Sequence, residues 1–96
     1  MSARLAAKVD VTHAEVRDTL RRLGYRVLDL SRAGRGCPDL LVAKGDQMWL
    51  IEVKRPTGGK LTPAQQDFIQ GWPVPVIILK TAEEAVAWAL IRQVAA

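Results

Sequence analysis

Two apolar runs joined by Gly45-Asp46 constrain this chain more than any other feature. Leu40 to Lys44 and Gln47 to Val53 read as β-strands, and a two-residue Gly-Asp connection between such runs is typical of a tight hairpin. So short a loop also fixes the register. Lys44 faces Gln47, and stepping outward one residue at a time places Asp39 opposite Glu52. Side chains alternate across a strand, so Lys54 shares the face of Glu52. The rest of that face is Leu41, Ala43, Met48 and Leu50; the other carries Leu40, Val42, Trp49, Ile51 and Val53. The hairpin is therefore expected at the centre of a sheet, covered on both faces, with three charges gathered at one end.

Around it, local signals order the remaining elements. Thr12-His-Ala-Glu15 has the form of a capping box, with Val11 and Val16 placed as a hydrophobic staple, and Gly24 stands where a helix would end. These predict a first helix from about His13 to Leu23, with residues 1–10 as a tail or a frayed helical start. Tyr25 to Leu30 reads as a strand and Ser31 to Gly36 as a loop. Thr62-Pro-Ala-Gln65 is a second capping box with proline at the first helical position, which predicts a helix from Pro63 to about Gly71. Val76 to Leu79 reads as a strand covered on both faces. Thr81-Ala-Glu-Glu84 opens a last helix whose apolar stripe is Ala85, Val86, Ala89 and Leu90. The order is α-β-β-β-α-β-α, an α/β arrangement with a mixed sheet flanked by helices.

A length of 96 residues accommodates one domain, so residues 1–96 are read as a single unit. The lone Cys37 excludes an intrachain disulfide and a cysteine-rich zinc site. No apolar run has the length of a membrane span or the form of a signal peptide, so the chain is expected to be soluble and cytoplasmic, without a membrane partner. Its net charge of +4 favours a polyanionic partner. The excess lies before Cys37, where eight basic residues meet four acidic ones; beyond it, six meet six. Arg17, Arg21 and Arg22 fit either a solvated helix face or part of a basic surface. The hydrophobic share of 49% leaves room for an apolar contact with a second subunit.

The charges at the end of the hairpin need a physical reason. Two carboxylates about 5 Å apart repel by roughly 3 kcal/mol at an effective dielectric near 20. A salt-bridge network of Asp39, Glu52 and Lys54 is one way to carry that repulsion. A divalent cation is the other, because paired carboxylates supply the hard oxygen ligands that Mg²⁺ prefers and leave positions for water and phosphate. Such an ion polarises a phosphodiester and acidifies a bound water, while Lys54 is placed to offset negative charge on phosphoryl oxygens.

Pro38-Asp39 followed by Glu52-Val-Lys54 resembles the PD-(D/E)XK nucleases. Within them, Gly36-Cys-Pro-Asp-Leu, Ile51-Glu-Val-Lys-Arg and Leu61-Thr-Pro-Ala-Gln65 are similar to the VRR-NUC branch, including its small stand-alone phage and bacterial forms. The likeness runs from about Glu15 to Ala89. It implies a restriction-endonuclease-like core and Mg²⁺- or Mn²⁺-dependent cleavage of DNA at flaps or four-way junctions, with Holliday-junction resolution in stand-alone members. It also implies Asp39, Glu52 and the backbone carbonyl of Val53 as metal ligands, Lys54 as the catalytic lysine, and Gln65 as a helix glutamine near the site. Glu15 corresponds to a first-helix glutamate that reaches the metal in several branches.

Glu15 and Gln65 each have a second reading, as the reciprocal partner in a capping box. Ser31, Arg32 and Arg35 on the loop entering Asp39, and Arg55 and Lys60 on the loop leaving Lys54, are placed either to contact DNA phosphates or to stand as ordinary solvated loop residues. His13 reads as a surface or capping residue and Trp49 as core; Trp72 and Trp88 fit the core or a subunit contact. The expected protein is a metal-dependent endonuclease acting on branched DNA, as a homodimer with two sites for opposing strands. A non-catalytic nucleic-acid-binding module that keeps the nuclease fold is the alternative.

Overall fold

A computed structural model describes the backbone of residues 2–95 and the side chains of residues 11–93. The elements follow the expected order: α1 (Ser2–Arg22), β1 (Arg26–Asp29), β2 (Leu40–Lys44), β3 (Gln47–Val53), α2 (Pro63–Gly71), β4 (Ile77–Leu79) and α3 (Ala82–Ala95). One four-stranded sheet runs β1-β2-β3-β4, antiparallel except for the parallel β3–β4 pair. The hairpin register is the one set by the Gly45-Asp46 loop, from Lys44 opposite Gln47 to Leu40 opposite Ile51. One further step places Asp39 opposite Glu52.

The core lies on one face of this sheet. Leu40, Val42 and Ile51 meet Val16 and Leu20 of α1 and Ala85, Trp88 and Ala89 of α3, with Tyr25 and Leu79 completing the cluster. Burying one such aliphatic side chain contributes about 1.5–3 kcal/mol. Tyr25, Trp49 and Trp88 pack as an aromatic trio with ring centroids 5.2–5.9 Å apart. Trp49 and Trp88 are thus part of the packed interior, and Trp72 lies outside it, stacked on Phe68 with centroids 5.1 Å apart.

Several expectations are corrected. The first helix starts at Ser2 rather than His13, because the alanine-rich segment before Thr12 is itself helix-competent. With the helix already under way, the amides near Thr12 are no longer the orphan donors a capping box serves. The staple is absent too: Val16 is buried, but Val11 is 56% exposed. On α3 the buried stripe is Ala85, Trp88 and Ala89, whereas Val86 and Leu90 face outward, so the large indole sets the rotational phase.

On the second face the hairpin is covered only towards its site end, where Leu50 and Glu52 are buried, and β4 is left partly open. Opposite the core, Leu28 and Met48 are 57% and 66% exposed, and Ile78 of the short β4 is also exposed. The nine-residue α2 buries none of its own residues. It meets the sheet at its N-terminus, at the end where Asp39 and Glu52 lie.

Candidate active site

Thr62 caps α2 by the expected geometry. Its Oγ1 accepts from the Gln65 amide at 3.2 Å, and Gln65 Oε1 accepts from the Thr62 amide at 2.9 Å. The box forms because the Pro-Thr-Gly-Gly stretch before it precludes a helix, leaving those amides in need of partners. Gln65 does more than cap. Its Oε1 also accepts from Lys54 Nζ at 2.7 Å, and its Nε2 donates to Glu52 Oε2 at 2.9 Å. The two readings of this residue are therefore one arrangement: the side chain that closes the helix also ties the carboxylate to the lysine.

Asp39 is held from three sides. Buried Pro38 precedes it, its carbonyl accepts from the Leu30 amide at 2.7 Å, and its Oδ2 accepts from the Val53 amide at 2.9 Å. The side chain thus bridges the two hairpin strands beside the backbone of Val53. Glu52 is 2% exposed, with Lys54 Nζ 3.7 Å from its Oε2. Burial is the largest force on the Glu52 carboxyl and, with the adjacent Asp39 carboxylate, pushes it up to about 8 against the smaller opposing pull of Lys54. Burial, then the Glu52 and Asp39 carboxylates, push the Cys37 thiol up as well.

The approach loop is locked to this end of the sheet. Asp29 Oδ1 accepts from the Ser31 amide at 2.8 Å and the Ser31 hydroxyl at 2.6 Å, and His13 Nε2 lies 3.0 Å from Asp29 Oδ2. The Ser31 bonds chiefly, then His13, hold the Asp29 carboxyl down at about 2. Ser31 therefore has a loop-anchoring duty. This His13–Asp29 pair went unread in the sequence; a turn-forming Asp two residues before Ser31 was its only local signal.

Gly34, Arg35 and Gly36 all adopt positive φ, so the loop turns through a left-handed segment. At Gly36 a Cβ would fall 2.2 Å from the Ala64 carbonyl oxygen and 2.8 Å from the Gln65 nitrogen. Only a glycine lets the loop press against the start of α2. Gly36→Ala is accordingly expected to cost at least about 2 kcal/mol, a fall in Tm on the order of 10 °C by thermal denaturation. An unchanged Tm would show that this contact does not hold the site together.

The structure thus brings Asp39, Glu52, Lys54 and Gln65 together, with Val53 presenting its backbone alongside. Arg32, Arg35 and Lys60 are exposed on the two flanking loops and Arg55 is half-buried; none makes an ion pair among the described residues. Glu15 is not brought in. It is exposed on α1, and His13 is the α1 side chain that reaches the site end of the sheet. Among the described residues no three His, Cys, Asp or Glu side chains form a metal-holding group. Among the described residues, the carboxylates at this end of the sheet are the Asp39–Glu52 pair. Two hard oxygen donors beside a backbone strand fit an ion such as Mg²⁺, which is held by one or two carboxylates and keeps the rest of its shell for water and phosphate.

The element order and the four-stranded mixed sheet are those of restriction-endonuclease-like nuclease folds. Among solved structures the chain is similar to a VRR_NUC domain, with a TM-score of 0.66 and 26% identity over 88% of this chain and 95% of that one. The fold is a VRR-NUC-like nuclease fold. No protein-family model and no curated protein matches the chain. No described helix is long and apolar enough to cross a membrane.

Gln65→Glu separates capping from chemistry. Glutamate serves a capping box as well as glutamine does, so helix stability should hold. The cleavage activity proposed below is expected to fall at least tenfold when a third carboxylate replaces the donor to Glu52, since a hydrogen bond to a charged group contributes about 1.5–3 kcal/mol. Equal cleavage rates would reduce Gln65 to a cap.

Proposed function

We propose that the protein is a divalent-metal-dependent endonuclease that hydrolyses phosphodiester bonds in DNA, with branched DNA as its substrate. The observation that carries this reading is the convergence of Asp39, Glu52, Lys54 and Gln65 at one sheet end, beneath the start of α2. Asp39, Glu52 and the Val53 carbonyl would hold Mg²⁺ or Mn²⁺, which when bound supplies Lewis-acid polarisation of the phosphodiester and an acidified water.

The chain's own residues do the rest. The Val53 amide fixes the direction of Asp39, and the Gln65 amide group fixes Glu52 and Lys54 together. Lys54 offers its ammonium to the charge that builds on the phosphoryl oxygens during in-line attack. Arg32, Arg35, Arg55 and Lys60 flank the centre on two loops, where backbone phosphates would supply affinity without sequence reading. The exposed apolar residues Val86, Leu90 and Ile91 of α3 support assembly as a homodimer presenting two centres to opposing strands of a junction.

The test is cleavage of labelled linear duplex, flap and four-way-junction DNA in Mn²⁺ and in EDTA, with sedimentation of the protein alongside. Metal-dependent cutting of the branched substrates in preference to linear duplex, by a dimer, is expected. Binding without cutting in any metal would instead favour a non-catalytic DNA-binding module that keeps the nuclease fold.

A further inference from the structure

At the β1 edge of the sheet, opening on the face that carries the carboxylates, lies a groove of about 600 Å³ whose edge is formed by Gly24, Tyr25 and Val27. Its floor is Leu28, Leu41, Ala43 and Met48, its rim carries Arg21 and Arg26, and no acidic residue lines it. We propose that this groove is a subsite for an unpaired nucleic-acid strand leaving the cleavage centre, an inference that rests on the nuclease reading.

Position links it to the centre. Asp39 directly precedes β2, and the groove residue nearest to it, Leu41, is two residues on, so the near end of the groove lies about 7 Å along the strand from Asp39 and its far end, at Ala43 and its partner Arg26, about 13 Å away. That is about four nucleotides of a stacked strand. Charge selects the class of ligand. Two arginines without a lining carboxylate favour a polyanion, and Arg21 has only a long 4.0 Å contact with Asp18. The floor selects the form. A duplex turns its sugar-phosphate surface outward and encloses its bases, so it gains nothing from exposed Leu28 and Met48. An unpaired strand can set its base faces against apolar and thioether groups while its phosphates meet the arginines. A flap or the single-stranded arm of an opened junction presents such a strand.

The experiment measures binding of a labelled oligothymidylate and of a duplex in EDTA, for wild type, the Arg21→Ala/Arg26→Ala double variant and Met48→Asp. All three substituted positions are solvent-facing, and sedimentation is run on each protein. Oligothymidylate affinity is expected to fall at least tenfold in both variants, with duplex affinity much less affected. In the arginine variant the slope of log affinity against log salt should shrink by about 1.4, roughly 0.7 per lost phosphate contact. Unchanged oligothymidylate binding overturns the subsite. So does a Met48→Asp protein that turns from dimer to monomer while binding the oligonucleotide as before, which would assign the face to a contact between copies. If the variants lose oligonucleotide binding while wild type cuts no DNA in Mn²⁺, the subsite stands and the nuclease reading fails.

Discussion

Lys54→Ala is expected to lower the single-turnover cleavage rate by about 10²–10³ while leaving a folded protein, the loss typical of removing one preorganised electrostatic group from a reacting centre. Lys54 Nζ lies 2.7 Å from Gln65 Oε1 and 3.7 Å from Glu52 Oε2 with only 14% of its side chain exposed, so its position is fixed before substrate arrives. Its removal acts twice. The charge facing the phosphoryl oxygens is lost, and so is the cation that opposes the upward push on the Glu52 carboxyl. The pH profile of residual activity should therefore move to higher pH. A variant that cuts at the wild-type rate would remove Lys54 from the chemistry, and a profile that falls without moving would uncouple it from Glu52.

Glu52→Gln should make the metal-free protein more stable at alkaline pH while abolishing its response to metal. In the folded chain the Glu52 carboxyl keeps its proton up to about 8, whereas in the unfolded chain it ionises at the ordinary glutamate value near 4.3. Between those values the native state holds more protons than the unfolded state, so stability falls as pH rises. The loss over that window, allowing for solvent screening of the carboxyl, is on the order of 3 kcal/mol, or roughly 15–20 °C in Tm for a domain of this size. Glutamine has no proton to lose, so the variant should lack the slope. Mn²⁺ should restore the wild type at pH 8.5 and leave the variant unmoved. Melting curves in EDTA across pH 5 to 8.5 check this, and parallel slopes for the two proteins would contradict it.

The legible parts of this protein share one property: each is fixed by neighbours in the sequence. The register that opposes Asp39 to Glu52 follows from a two-residue loop, and the Thr62–Gln65 cap from the helix-breaking stretch before it. Thr12-His-Ala-Glu15 has the same capping-box pattern, without the proline, but sits within a continuing helix, so the pattern carries no boundary. What stayed hidden depends on how elements pack. His13 meets Asp29 only because α1 and β1 lie side by side at that level, and Trp88 turns α3 so that Val86 and Leu90 face outward. The open face went unread because apolar residues on both sides of a hairpin predict two covers, while α2 is too short to supply the second.

Gln65 shows how local and distant roles can coincide. Its backbone and side chain complete the cap, and the same side chain reaches Glu52 and Lys54 because the α2 start is pressed against Gly36. Glycine at 36 and glutamine at 65 thereby support the hairpin charges without belonging to the hairpin.

We propose the Asp39–Glu52 pair as a divalent-cation centre for cutting DNA. Its most direct test is single-turnover cleavage of a labelled flap in Mn²⁺ by wild type and by Glu52→Gln, both shown to be folded by their melting curves. Wild type should cut in Mn²⁺ and not in EDTA, and Glu52→Gln should be inert in both; an inert wild type, or a variant that cuts at the wild-type rate, would contradict the assignment.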